Sequence, residues 1–350
     1  MTVERLQQIL DQFARARVLV AGDFFLDKYL VIDAGLTERS IETGLPAYQV
    51  VEKRVWPGGA GAVSANLRVL GTGTVQALGL VGRDGEGYEL RMGLEALGID
   101  TSLLVETNAC FTPTYTKPVW REAGTEREMN RLDIRSRHPC PPDVEQRVLL
   151  QLRESVATAH AIVVVDQVPE RNRGVITDAV RAVLTELARA HPDTVFIADS
   201  RMRAGEYPGL SVKPNRAEAI RTVFGERRAE PTFEEVLAAG RELQARSGRP
   251  TFITLAEDGL LIFDGKRVWH APALRQTGPV DPCGAGDSVM AGIALALCSG
   301  ASALEAGIVG NVVASITVQQ IGVTGTASRD EVLERFRAAG DAFLPRPVDG

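Results

Sequence analysis

The 350-residue sequence is poor in the features that mark secreted, metal-clustered or nucleic-acid-binding proteins. Cysteine is scarce: Cys110, Cys140, Cys283 and Cys298 are the only four, no two are spaced C-x-x-C, and there are only four histidines. A disulfide framework and a structural zinc site are therefore not expected. No long basic run occurs and the formal net charge is −6. A nucleic-acid footprint needs concentrated Lys and Arg, so no nucleic-acid partner is expected. No apolar stretch is long enough to span a bilayer. Residues 1–16 read as a charged, amphipathic helix and not as a secretory leader. No membrane partner and a cytoplasmic location are the resulting expectations. Two phosphate-binding fingerprints are also missing. There is no GxxxxGK[ST], and the first apolar run ends in Gly22-Asp23-Phe24-Phe25-Leu26 without GxGxxG, which removes a dinucleotide-dependent oxidoreductase.

What is present is a rhythm. With 45% hydrophobic residues the chain can build a sizeable core. Short apolar runs at Val18–Ala21, Val75–Val81, Ala161–Val165, Thr194–Ala198 and Thr251–Leu255 read as buried strands. Amphipathic patterns at Val175–Arg189 and Glu234–Ser247 read as helices between them. This alternation predicts an α/β fold with a mainly parallel sheet covered on both faces. Residues 33–57 and 107–134 break the rhythm with alternating, partly polar patterns, predicting antiparallel strands that leave the main sheet as a small lid or as an edge hairpin. The tail after Ala339, with Pro345 and Pro347, reads as irregular. Asp23, Asp27, Asp166, Asp199 and Lys213-Pro214-Asn215 gather after strand ends, where open parallel sheets bind ligands, although an acid there can also cap the next helix.

The densest local signal is Asp281-Pro282-Cys283-Gly284-Ala285-Gly286-Asp287, followed by an apolar helix over Ser288–Cys298. A glycine-rich turn opening a helix presents free N–H groups at the positive end of the dipole, a site for phosphoryl oxygens. Asp287 stands where a carboxylate can take a proton from an attacking hydroxyl. On its own the segment reads equally well as a capped helix with a favourable acid in its first turn.

Asp281–Asp287 resembles the DTxGAGD signature of the PfkB/ribokinase family of carbohydrate kinases, and the likeness extends over residues 15–337. Gly58-Gly59 resembles the family's paired glycines, Lys213-Pro214-Asn215-Arg216-Ala217-Glu218 its KPNxxE element, and Thr254 to Gly259 the start of its nucleotide loop, all in matching order. Within the family the chain is most similar to heptose-7-phosphate kinases through Val18–Asp27, Pro57–Ala60 and Arg131-Leu132-Asp133.

The resemblance implies a ribokinase-like three-layer fold over residues 1–337, with a β lid from about 33–57 and 107–134 and a tail at 338–350. It implies ATP and Mg²⁺ as cofactors, with K⁺ as in some relatives. Separately, unpaired strand surface on a lid invites a second copy, which makes a homodimer through the lid an expectation. Asp287 would be the general base, with Gly284, Ala285 and Gly286 forming the anion hole. Asp27, Gly58, Gly59 and Asn66 would hold the acceptor. Lys213, Asn215, Thr254, Gly259 and Asn311 would line the nucleotide site, Asn215 and Glu218 would organise Mg²⁺ through water, and Asp281 would stand by the monovalent cation. Glu218 also reads as a solvated helix residue, Asp27 as a loop cap and Asn311 as a buried helix residue. Lys117 and Arg131 suit a substrate phosphate, but a solvated strand face explains both better.

Three positions depart from the heptose-kinase pattern. Ala62 stands where the paired-glycine motif carries Asn, with Asn66 one turn later; Asp166 is followed by Gln167-Val168-Pro169-Glu170; and Arg201 stands in Asp199-Ser200-Arg201-Met202 in place of a Lys. The implied activity is phosphoryl transfer to a sugar or sugar phosphate, best matched by D-glycero-β-D-manno-heptose 7-phosphate. The rivals are another sugar or nucleoside kinase of the family, and a non-catalytic sensor on the same fold.

Overall fold

Strands with apolar residues on both faces can only be satisfied in the middle of a layered structure, and the computed structural model places them there. It describes residues 1–226, 230–276, 278–340 and 344–348. The chain opens with helix α1 (Val3–Gln12), strand β1 (Arg17–Gly22), β2 (Phe24–Asp33), the short β3 (Glu38–Arg39) and β4 (Pro46–Ala47), and β5 (Val50–Gly59). It continues through α2 (Ala60–Val69), β6 (Thr74–Gly82), α3 (Gly85–Ala96), β7 (Leu104–Thr107), β8 (Thr114–Glu122), β9 (Thr125–Glu128) and β10 (Leu132–Ile134). Next come α4 (Pro142–Ser155), β11 (Ala161–Asp166), α5 (Asp178–Ala190), β12 (Val195–Ser200), β13 (Ser211–Val212), α6 (Arg216–Phe224), α7 (Phe233–Ser247) and β14 (Thr251–Thr254). The last elements are β15 (Leu260–Asp264), β16 (Arg267–Ala271), α8 (Ala285–Cys298), α9 (Ala303–Thr317), α10 (Arg329–Ala339) and β17 (Arg346–Pro347).

The main sheet runs β17-β16-β15-β14-β13-β12-β11-β1-β6-β7. It is parallel from β7 to β14 and antiparallel from β14 to β17. Successive residues of a strand point to opposite faces. Val18 and Val20 of β1 and Val163 and Val165 of β11 accordingly enter one core with α1, α2, α3, α8, α9 and α10. Leu19 and Ala21, with Ile162 and Val164, enter the other core with α4, α5, α6 and α7. These two cores make the three layers. Helix α8 is buried at every residue from Ser288 to Ala296, which holds its N-terminus rigidly at the carboxyl edge of the sheet.

The lid is a five-stranded sheet in the order β10-β8-β2-β5, with β9 on β8. It differs from the sequence expectation in two ways. Its central strand begins at Phe24, directly after β1, so Asp27 lies on a strand and not in a capping loop. And β2 pairs with β8 in parallel, because both rise from the carboxyl edge of the main sheet in the same direction; only β5, which returns, is antiparallel to β2. The tail is not irregular throughout: Arg346 and Pro347 pair with His270 and Trp269 at the sheet edge, and Val348 N–H donates to Val268. An edge strand tolerates proline because one side of it needs no donors.

Candidate active site

The first turn of α8 is built by a turn that ends in Gly284, left-handed at φ 75°. No side chain caps this helix. The Ala285 N–H, expected in the anion hole, donates instead to Pro282 O at 3.1 Å, closing the turn that delivers the chain into the helix. Gly286 and Asp287 N–H have no partner among the described residues, so they are the open donors. The Asp287 carboxylate faces the cleft and also has no hydrogen-bond partner among the described residues. Burial and the nearby Asp199 charge push it up to about 7, against the pull of Lys213.

Lys213 follows β13 and is buried; its Nζ lies 2.9 Å from Asp199 Oδ2. A Cβ on Gly286 would sit 3.7 Å from the same Nζ, which places the ammonium beside the open donors. Burial alone would lower the pKa of Lys213, but Asp199, Glu218 and Asp287 outweigh it and raise it, so the lysine is charged. A positive pole thus forms from two N–H groups, a helix dipole and an ammonium.

Asn215 and Glu218 close reciprocally at the start of α6: Asn215 Oδ1 accepts from Glu218 N–H at 2.9 Å and Glu218 Oε2 accepts from Asn215 N–H at 2.8 Å. This capping box uses one oxygen of Glu218, and both side chains still line the cleft. Burial, then Asp199, raises the pKa of Glu218. Thr254 N–H donates to Pro214 O at 3.1 Å, locking these segments together. Gly259, at φ 93°, fits where no side chain can: a Cβ there would lie 2.2 Å from Ala271 O. Asn311 fixes the opposite wall, donating to Ala271 O at 3.2 Å and Pro272 O at 2.8 Å. Asp281 stitches two loops, accepting from Cys283 N–H and Gly322 N–H, each at 2.9 Å.

The lid supplies the far end of the cleft. Asp27 is raised by burial, against the opposing pull of Lys117, whose Nζ lies 3.6 Å from Asp27 Oδ1 and donates to the Tyr29 hydroxyl at 2.8 Å. Lys117 is therefore not on a solvated face. Arg131 is: it pairs with Asp133 and stacks 4.5 Å over the Tyr115 ring. Gly59 and Asp27 line the cleft. Gly58 stands behind them, where a Cβ would lie 2.4 Å from Asp27 Oδ2. Asn66 is the clear miss. It is fully buried on the core side of α2 and donates to Ala62 O at 3.0 Å and Gly325 O at 3.3 Å, so it holds the 319–327 loop and does not line the cleft. Ala62 is buried as well.

Tyr115, Phe25 and Gln167 join the site, although the sequence assigned none of them a role there. Gln167 is placed by Asp23, whose carboxylate accepts from the N–H groups of Gln167 (2.8 Å), Val168 (3.0 Å) and Val175 (2.8 Å). From behind, Arg203 donates to Val168 O and Pro169 O and pairs with Asp166 at 3.1 Å. Buried carboxylates after strand ends were visible in the sequence as Asp23 and Asp166; what they clamp was not.

A donor pole, an unpaired carboxylate raised toward neutrality and a deep cleft between sheet and lid are the parts of a phosphotransferase. Residues 28–330 match the model of the pfkB family carbohydrate kinases. The chain belongs to that family. It is 32% identical over 341 residues to the bifunctional protein HldE of Geotalea uraniireducens and 29% identical over 326 residues to that of Gluconobacter oxydans. In both cases 93% of the chain is covered and 65% of the relative, so the chain spans less than two thirds of their length. Among solved structures, phosphofructokinase-2 of Escherichia coli in complex with potassium superposes with a TM-score of 0.70 at 19% identity, covering 92% of this chain and 98% of that one. Ribokinase of Arabidopsis thaliana complexed with ribose and ATP gives 0.67 at 17% identity, covering 92% and 99%. The ribokinase-like fold is thereby established. Among the described residues no helix is long and apolar enough to cross a membrane.

Proposed function

We propose that the chain phosphorylates the anomeric hydroxyl of D-glycero-β-D-manno-heptose 7-phosphate at the expense of ATP. The observation that carries the kinase reading is the unpaired Asp287 carboxylate beside two open N–H groups and Lys213. The heptose reading rests on the similarity to the HldE proteins. In this reading the adenosine end of ATP lies between Thr254, Gly259 and Asn311. Asp27 and Gly59 hold the acceptor so that its hydroxyl reaches Asp287. Asp287 takes the proton, and its pKa of about 7 suits a base working near neutrality. The Gly286 and Asp287 N–H groups and Lys213 stabilise charge on the transferring phosphoryl oxygens.

Among the described residues no three His, Cys, Asp or Glu side chains form a metal cluster. That suits Mg²⁺, which keeps several waters and is held largely by phosphate oxygens. Glu218, with one oxygen free of its capping box and a raised pKa, fits as the water-mediated anchor, with Asn215 beside it. Mg²⁺ bound there would supply neutralisation of the phosphate charge. Asp281, between the 281–284 and 319–325 loops, is the proposed neighbour of K⁺. A homodimer through the lid accords with the exposed Ile41, Leu45, Val50 and Val51. Four free cysteines accord with a reducing, cytoplasmic compartment.

The test is ADP release with ATP, Mg²⁺ and a panel of sugars and sugar phosphates, for the wild type and Asp287→Asn. Turnover confined to the heptose 7-phosphate, falling about 10²–10⁴-fold in the variant, is the expected result. No turnover above the variant with any acceptor sinks the kinase reading, and nucleotide binding without turnover favours a sensor.

A further inference from the structure

One wall of the cleft has no secondary structure to support it. Ala273, Leu274, Arg275 and Gln276 line the cleft just after β16 ends at Ala271. Among the described residues, no backbone–backbone hydrogen bond holds residues 272–276. An irregular segment of this kind keeps a single shape only if side chains satisfy its backbone and fasten it down.

Helix α9 supplies the bed. Asn311, Ala314, Ser315 and Val318 line the cleft at the i, i+3, i+4, i+7 spacing of one helical face. Asn311 fastens the start of the segment through Ala271 O and Pro272 O. Gln276 fastens the rest. Its Nε2 donates to Leu274 O and to Ser315 O, each at 3.0 Å. Its Oε1 accepts from Gln319 Nε2 at 2.6 Å and from Arg335 Nη2 at 3.2 Å. A side-chain amide has two donor hydrogens and two lone pairs. All four are used, so Gln276 lines the cleft as an anchor and has no hydrogen bond left for a ligand.

Arg335 comes from α10, which contributes no residue to the cleft. It is half-buried and spans the hub. Besides Gln276, it donates through Nε to the Ser315 hydroxyl at 3.2 Å and through Nη2 to Arg275 O at 3.3 Å. It forms no ion pair with a described residue; its donors go to neutral oxygens of the wall and of the bed. A planar guanidinium fixes the angle between such partners, which a lysine ammonium does not.

We propose that Arg335 is a positioning residue for the nucleotide: it clamps Arg275 and Gln276 onto Ser315 and so sets the wall against which the adenosine end of ATP packs. The proposal rests on the placement of ATP given under the proposed function. It assigns to α10 a control of nucleotide affinity that leaves the acceptor and the chemical step alone.

The experiment measures Kd for ATP by calorimetry. It also measures kcat and both KM values with D-glycero-β-D-manno-heptose 7-phosphate as acceptor. Proteins are the wild type, Arg335→Met, Arg335→Lys, Gln276→Leu, the double variant Arg335→Met/Gln276→Leu, and Arg337→Met as an exposed control on the same helix, each checked by melting temperature. Arg335→Met should raise Kd and KM for ATP about tenfold, the worth of a charge-assisted hydrogen bond, with kcat and acceptor KM unchanged. Arg335→Lys should recover part of the loss, and Arg337→Met should match the wild type. The double variant should bind ATP no more weakly than Gln276→Leu alone, because both changes break one linkage. Trypsin reads the wall directly: cleavage after the exposed Arg275 should quicken in Arg335→Met and slow again with ATP. ATP affinity and cleavage unchanged in the Arg335 variants overturns the proposal and leaves the kinase reading intact. So does an equal loss in kcat or acceptor KM, which marks a general loosening of the fold. ATP binding that depends on Arg335 without turnover leaves the proposal standing and sinks the kinase reading. A wild type that binds no ATP overturns both.

Discussion

The two ends of the cleft are made of different materials. The end proposed for phosphoryl transfer uses backbone: two open N–H groups at the start of α8, a left-handed Gly284, and Gly259 packed against Ala271 O. The lid end, proposed for the acceptor, uses side chains from separate strands: Asp27 on β2, Tyr115 on β8 and Gln167 after β11, with Lys117 behind them paired to Asp27. A backbone site is set by where the chain turns, and one short segment writes it. A side-chain site is set by which distant strands come together, and it can change its ligand without disturbing the turn.

This contrast orders three substitutions. The largest effect is expected from Lys213→Met, which strips the phosphoryl end of its one buried ammonium and leaves Asp199 and Asp287 facing each other. kcat should fall about 10²-fold. In the wild type the base is ionised above its pKa, so kcat/KM should rise with pH on an acid limb near 7. Without Lys213, which lowers that pKa, the limb should move to higher pH. A limb that stays in place would separate Lys213 from the base.

Gly259→Ala should come next. Its φ of 93° and the 2.2 Å approach to Ala271 O leave no room for a methyl group. A cost of about 1–3 kcal/mol in stability is expected for the backbone conformation alone, with KM for ATP raised several-fold and KM for the acceptor unchanged. Chemical denaturation and initial rates measure both. A change in acceptor KM would mean that the two ends are not independent.

The smallest effect belongs to the other end. Lys117→Met frees Asp27 of its cation, and burial then drives the Asp27 pKa further up. Acceptor KM should rise a few-fold, roughly the worth of one partly buried ion pair, with ATP KM unaltered. Equal changes in both would remove the distinction drawn here.

The same contrast explains what could be read in advance. Buried parallel strands betray themselves as continuous apolar runs, and β1, β6, β11, β12 and β14 fell within a residue or two of the expected ranges. The Gly284–Asp287 segment was equally legible because its chemistry is local. Which N–H groups stay open was not, since the Ala285 bond to Pro282 depends on the turn geometry. Asn66 was misplaced because helical spacing cannot say which face of α2 is buried when nearly all of it is. The sequence assigned neither Gln167 nor Tyr115 a role in the site; only strand pairing and the Asp23 clamp bring them to one place.

The lid can also be viewed as a lever. Its central strand leaves the body at Phe24, next to the Asp23 clamp, its return strand re-enters at Gly59, and β8 departs from Pro113, whose carbonyl accepts the Leu26 N–H at 2.9 Å. All three crossings are side by side, so they form a narrow fulcrum. β2 has ten residues, an arm of about 33 Å at strand spacing. A turn of about 10° at that fulcrum sweeps the far end through roughly 6 Å, by the same strand length. Small changes of packing at Gly59 or Pro113 would thus be magnified at Ile32 and Asp33, neither of which lines the cleft.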